Sequence, residues 1–148
     1  MSQLKDIMSK DVAYVAPNDN VYEAASRMRS QNVGLMPVVD QGELKGVVTD
    51  RDIVVRGIAE KKPNSIQVQD VMSSQLVTGS PQMSVDEAAQ LMADAQVRRL
   101  PIVDNNQLVG IVSLKDMAVR APYQNEASQA LNEISETHQA NASNDILQ

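Results

Sequence analysis

At 148 residues the chain can hold one domain or two small fused ones. The absence of Cys removes disulfides, thiol nucleophiles and thiolate metal sites. A net charge of −6 and only three aromatic residues, all Tyr, argue against a nucleic-acid partner, which needs clustered Lys and Arg or rings for stacking.

The N-terminus has neither a long apolar run nor an Arg/Ser-rich transit pattern, and no apolar run reaches the roughly 18 residues of a membrane span. A soluble, cytoplasmic protein without membrane contact is expected. Leu4 to Met8 reads as a helical turn leading in. Val12 to Val15 reads as a short strand that ends at Ala16-Pro17. Asn20 caps the next helix, with Glu23 three residues on as a capping-box partner. Val21, Ala24, Ala25 and Met28 fall at i, i+3, i+4 and i+7, an apolar stripe for the core. Leu35 to Val39 reads as a strand, Asp40-Gln41-Gly42-Glu43 as a hairpin turn, and Leu44 to Val48 as the return strand. Asp50 to about Ala59 is the closing helix, and Lys61 to Ser65 a linker.

From there the chain repeats itself. Residues 5–56 align with 69–120 at a constant offset of 64, and 19 of the 52 positions are identical. The identities include Asp6/Asp70, Met8/Met72, Ser9/Ser73, Pro17/Pro81, Gly46/Gly110 and Asp52/Asp116. Ser84 and Glu87 repeat the helix cap, and Asp104-Asn105-Asn106-Gln107 repeats the turn with Asn in place of Gly. Asp6 and Asp70 are expected to cap the entry turns. The organisation is a first repeat at 4–59, a linker at 60–67, a second repeat at 68–120 and a tail at 121–148. Each repeat reads strand, helix, strand, strand, helix, an α/β (α+β) class. Two such units packed about a pseudo-twofold axis cover what one cannot. The tail holds Glu126, Glu133, Glu136 and Asp145 with no Lys or Arg. A weak helical period runs through Ala127, Leu131, Ile134 and His138. Residues 139–145 are polar and expected to be disordered.

The chemistry concentrates where the return strand enters the last helix, at Thr49-x-x-Asp52 and again at Ser113-x-x-Asp116. One reading is a capping box, in which hydroxyl and carboxylate satisfy each other's backbone N–H. The other is a ligand site. A helix start suits phosphate, a hydroxyl can donate to it, and a carboxylate can accept from a ribose diol. Asp50, with Leu114 as its counterpart, is read as a solvated carboxylate. The single His lies in the polar tail. No nucleophile with a base partner, no phosphate-binding loop and no metal motif is present, so no catalytic role is expected.

Two gapless units of this order resemble a CBS-domain pair, also called a Bateman module. Each carries a Pro-(Val/Ile)-Val-Asp strand, a hairpin, and Gly, two apolar residues and (Thr/Ser)-x-x-Asp before its last helix. The resemblance covers about residues 4–120 and is greatest to small stand-alone bacterial members. It implies adenosine-containing ligands such as AMP, ADP or ATP in clefts between the repeats. It also implies a homodimer and regulation of a partner domain or protein in place of catalysis. Carried onto this chain, it gives ribose to Asp52 and Asp116, and phosphate or ribose to Thr49 and Ser113. Arg98, Arg99 and Lys115 would reach phosphate of the ligand on Asp52. The site at Asp116 would receive Gly34, Leu35 and Arg51. The adenine pockets would form from Val12, Ala13, Met36 and Pro37, and from Leu76, Val77, Leu100 and Pro101.

The expected function is therefore a regulatory module that senses adenine nucleotide and requires no cofactor. The alternative is a structural or interaction module with degenerate sites. The charge difference between the sites yields a test. Replacing Arg98 and Arg99 by Ala lowers nucleotide affinity in calorimetry, whereas an unchanged affinity contradicts the assignment.

Overall fold

In the computed structural model, which describes residues 2–119 and Ile134, helix α1 (Val21–Gln31) starts at Asn20, whose Oδ1 accepts from Glu23 N–H at 2.7 Å. It stops at Asn32, which adopts the left-handed conformation that Asn tolerates. The Glu23 carboxylate turns to Arg27 instead of closing a capping box. Strands β1 (Leu35–Asp40) and β2 (Glu43–Thr49) pair antiparallel, with Leu35 opposite Thr49 and Met36 opposite Val48. Gln41 and Gly42 both take positive φ, as a two-residue hairpin turn requires. The second repeat builds the same elements: α3 (Val85–Ala95) capped by Ser84, β3 (Arg99–Asp104), β4 (Gln107–Ser113) and α4 (Leu114–Val119). Asn105 and Asn106 supply its positive-φ turn. At its start β2 pairs antiparallel with the start of β4, Glu43 opposite Gln107. This is a mixed α/β (α+β) fold.

Other sequence expectations fail as well. Val12 to Val15 does not form a strand: only Val15 makes a bridge, parallel to Val38. The segment before it finds no ladder partner. Ala25, read as part of the buried stripe, is exposed, although its counterpart Ala89 is buried. The closing helix of the first repeat also changes type. It begins as α2 (Asp50–Asp52) and continues as a π-helix over Ile53–Ile58. Two Ile, two Val and Gly57 are poor formers of a regular α-helix. The expected tail helix and polar end lie outside the described residues, apart from Ile134, which is helical and fully buried.

The chain divides into two compact units, and they are not the two repeats as written. One unit contains residues 11–76 and 103–108. The other contains 2–10, 77–102, 109–119 and Ile134. Each repeat thus gives its lead-in segment to the other. In the first unit Val68 N–H donates to Asp19 O, and Gln69 N–H to Pro17 O. In the second, Leu4 N–H donates to Met83 O, and Lys5 N–H to Pro81 O. Asp6 and Asp70 accept from the N–H groups of Gln3 and Gln67 and so cap these turns. Each unit has its own core. One gathers Val15, Val38, Val48, Val68 and Val71, and the other Leu4, Met92, Leu100, Ile102 and Met117.

The lead-in also fixes the return strand. Val47 and Ser73 exchange both backbone hydrogen bonds, at 3.0 and 2.9 Å. Ser9 and Ile111 do the same, both at 2.9 Å. The residue before the strand partner is Gly in both copies. A Cβ on Gly46 would stand 2.7 Å from Ser73 O, and one on Gly110 would stand 2.6 Å from Met8 Sδ and 3.0 Å from Ser9 O. The identities Met8/Met72, Ser9/Ser73 and Gly46/Gly110 therefore belong to one contact. Gly46→Ala forces a backbone carbonyl to move, and the expected loss is about 1–3 kcal/mol in denaturant unfolding. An unchanged midpoint would refute this close approach.

Candidate functional site

The site residues lie where β2 becomes α2 and where β4 becomes α4. At the first junction Thr49 has extended backbone and Asp50 starts the helix. Thr49 Oγ1 accepts from Asp52 N–H at 3.0 Å, and Asp52 Oδ2 accepts from Thr49 N–H at 3.0 Å. At the second, Ser113 Oγ accepts from Asp116 N–H at 3.0 Å, and Asp116 Oδ2 accepts from Ser113 N–H at 3.2 Å. The capping-box reading of both motifs is therefore realised in the geometry. It leaves chemistry in reserve. In each copy the hydroxyl proton and the other carboxylate oxygen have no partner among the described residues. One group can donate and the other can accept, side by side at a strand end.

The junctions are held from the preceding strand. Asp50 N–H donates to Gly34 O at 2.9 Å, and Leu114 N–H donates to Arg98 O at 3.0 Å. Here the copies differ. Asp50 is exposed and its carboxylate lies against Gly34, where a Cβ would meet Oδ2 at 2.9 Å. Leu114 instead joins the core of its unit. Thr49, Asp52 and Asp116 are half-buried, and Ser113 is buried. The first junction thus carries Asp50, Arg51 and Asp52, and the second carries Lys115 and Asp116 with Arg98 on the strand beside it. Arg51, Arg98 and Lys115 are exposed and Arg99 is half-buried, and none of the four makes an ion pair among the described residues.

The residues expected to line the adenine pockets have mixed environments. Met36 and Leu100 are fully buried core residues, and Pro37 and Pro101 are buried, their carbonyls accepting from Val15 N–H and Gly79 N–H. Val12, Ala13, Leu76 and Val77 are half-buried. Within one unit the structure brings together Thr49, Asp52, Arg51, Met36, Pro37, Val12, Ala13 and Leu76. Within the other it brings together Ser113, Asp116, Lys115, Arg98, Arg99, Leu100, Pro101 and Val77. Sequence reasoning missed the lead-in residues Met72-Ser73 and Met8-Ser9, which brace the strand immediately before each junction. Their identity between repeats was the available signal. No group of His, Cys, Asp and Glu suited to a metal ion occurs among the described residues, and none of their helices is long and apolar enough to cross a membrane.

This geometry has relatives. The CBS domain family model matches residues 4–57 and 68–121. The CBS domain-containing protein YhcV of Bacillus subtilis (strain 168) is 53% identical over 135 residues, which is 91% of this chain and 96% of that protein. The crystal structure of CBSX2 in complex with AMP superposes with a TM-score of 0.73 at 28% identity, over 84% of this chain and 98% of that one. The CBS domain pair of protein MJ0100, in complex with 5′-methylthioadenosine and S-adenosyl-L-methionine, gives a TM-score of 0.70 at 29% identity, over 80% of this chain and 94% of that one. The repeated strand, hairpin and capped helix are thus two CBS domains in tandem, and the chain belongs to the CBS-domain family.

Proposed function

We propose that the protein is a regulatory module of the cytoplasm that binds an adenosine-containing ligand, of the AMP, ADP or ATP kind, and carries no catalytic step of its own. The observation that supports this most is the duplicated junction, in which a hydroxyl proton and a carboxylate oxygen remain available after the capping box is closed. A ribose diol offers two O–H donors and suits a carboxylate acceptor, while a phosphate oxygen suits the hydroxyl donor. We assign the ribose to Asp52 and Asp116, and the phosphate or ribose contact to Thr49 and Ser113. Related CBS pairs crystallise with AMP and with S-adenosylmethionine and methylthioadenosine, which supports the same ligand class here. Arg98, Arg99, Lys115 and Arg51 are the cations available for phosphate. We place the adenine beside Met36-Pro37 and Leu100-Pro101, where Val12, Ala13, Leu76 and Val77 are half-buried. The protein that responds to the bound state is a separate partner.

A thermal-shift series with AMP, ADP and ATP tests this. At 100 times the dissociation constant a ligand adds about 2.7 kcal/mol, a rise of about 5–10 °C for a chain of this size. No shift at millimolar nucleotide would leave an interaction module with degenerate sites as the better account. The ribose assignment is tested separately by the double variant Asp52→Asn with Asp116→Asn. Asn keeps an acceptor for the capping N–H but loses the charge. Ligand affinity should fall by about tenfold or more while the melting temperature without ligand changes little. Equal affinity in variant and parent rejects the carboxylate's role.

A further inference from the structure

The two junctions differ by one exchanged pair of residues. Gly34 and Asp50 in the first repeat stand where the second has Arg98 and Leu114. The backbone contact is the same in both copies: Asp50 N–H donates to Gly34 O and Leu114 N–H to Arg98 O. The side chains go opposite ways. Leu114 is 3% exposed and belongs to the core of its unit. Asp50 is exposed, yet it is held in place. Its Oδ1 accepts from Arg51 N–H at 2.8 Å. Its carboxylate lies over Gly34, where a Cβ would stand 2.9 Å from Oδ2, 3.3 Å from Cγ and 3.4 Å from Oδ1. Gly34 does not take positive φ, so its backbone does not require glycine. The missing side chain instead makes room for the carboxylate. The Cβ of an Arg, the second repeat's residue, would collide with it.

This exchange sets the charge beside a ligand contact. Asp50 directly follows Thr49, the hydroxyl of the first junction, and Asp52 closes the same turn. The first junction therefore holds two carboxylates. Arg51 between them is exposed and makes no ion pair with either among the described residues. The second junction holds one carboxylate, Asp116, with Lys115 before it and Arg98 bonded to Leu114.

Resting on the adenosine-ligand reading above, we propose that Asp50 is a specificity-determining residue. Held over Gly34, it disfavours phosphate at one of the two adenosyl sites and leaves that site to adenosine-containing ligands whose 5′ group is uncharged. An ionised carboxylate has no proton to donate to a phosphate oxygen, and its charge repels the phosphate. An uncharged 5′ group meets no such repulsion. Two unit charges about 4 Å apart in water change an affinity by roughly fivefold, and a phosphate monoester carries more than one charge. The chain then reports two different molecules, one nucleotide and one nucleoside-like, through two copies of one motif.

Calorimetry with adenosine and AMP, which differ only in the phosphate, tests this on the full-length parent and two variants. The parent should bind AMP at two sites of unequal affinity. In Asp50→Asn the side chain keeps its size and can still accept from Arg51 N–H, but has no charge. There the weaker AMP affinity should rise by about fivefold or more, while the stronger one and the adenosine affinities hold. The gain should shrink as salt is raised, which a change of shape alone would not produce. Asp50→Glu keeps the charge and should keep the parent's preference. Unchanged AMP affinities in Asp50→Asn, a gain shared equally by adenosine, or an equal gain in Asp50→Glu each overturn the role of Asp50 while leaving the adenosine-ligand reading intact. A parent that binds neither ligand overturns that reading and this role together.

Discussion

Val47 exchanges both of its backbone hydrogen bonds with Ser73, and Ile111 does so with Ser9. The rest of each unit hangs on that pairing. It ties a lead-in segment to a return strand two or three residues before the strand turns into its helix. It is possible only because Gly46 and Gly110 place no Cβ against the neighbouring carbonyl and Met sulfur. It also sets the chain's connectivity, since each lead-in comes from the repeat other than the one whose strand it braces. A ladder so fixed delivers Thr49 or Ser113 to one position, and the capping box then fixes Asp52 or Asp116 three residues on.

The capping box and a ligand site compete for the same atoms less than their shared sequence pattern implies. Each hydroxyl uses one lone pair on an N–H, and each carboxylate uses one oxygen. The donor proton and the second oxygen are then pre-oriented at no further conformational cost. A structural device that rigidifies a polar pair is a sound base for binding, because the groups lose little freedom when a ligand arrives. The duplication supplies two such bases with unlike surroundings: Asp50 over Gly34 in one, Leu114 in the core in the other.

What could be read from the sequence was local. Asn20, Ser84 and the Thr/Ser-x-x-Asp pairs announce helix starts through hydrogen bonds that span three residues. The turn residues Gln41-Gly42 and Asn105-Asn106 announce positive φ through their type and place. What could not be read depended on distant chain. Val12 to Val15 has a strand's composition, but its neighbours leave only Val15 a bridge. Ala25 and Ala89 are the same residue at the same helical phase. Only the second is buried, in a cluster that includes Ile134, 45 positions further along the chain. The Met8-Ser9 contact with Gly110 crosses about 100 residues, and no periodicity reports it. The identity of these positions between repeats was visible, and their contact was not.

The most direct test of the central claim is residue-resolved NMR of the backbone amides during titration with AMP. Saturable shifts are expected at Thr49–Asp52 and Ser113–Asp116, with the hairpin tips at Gln41–Gly42 and Asn105–Asn106 unmoved. Saturable shifts elsewhere, with both junctions silent, would contradict it.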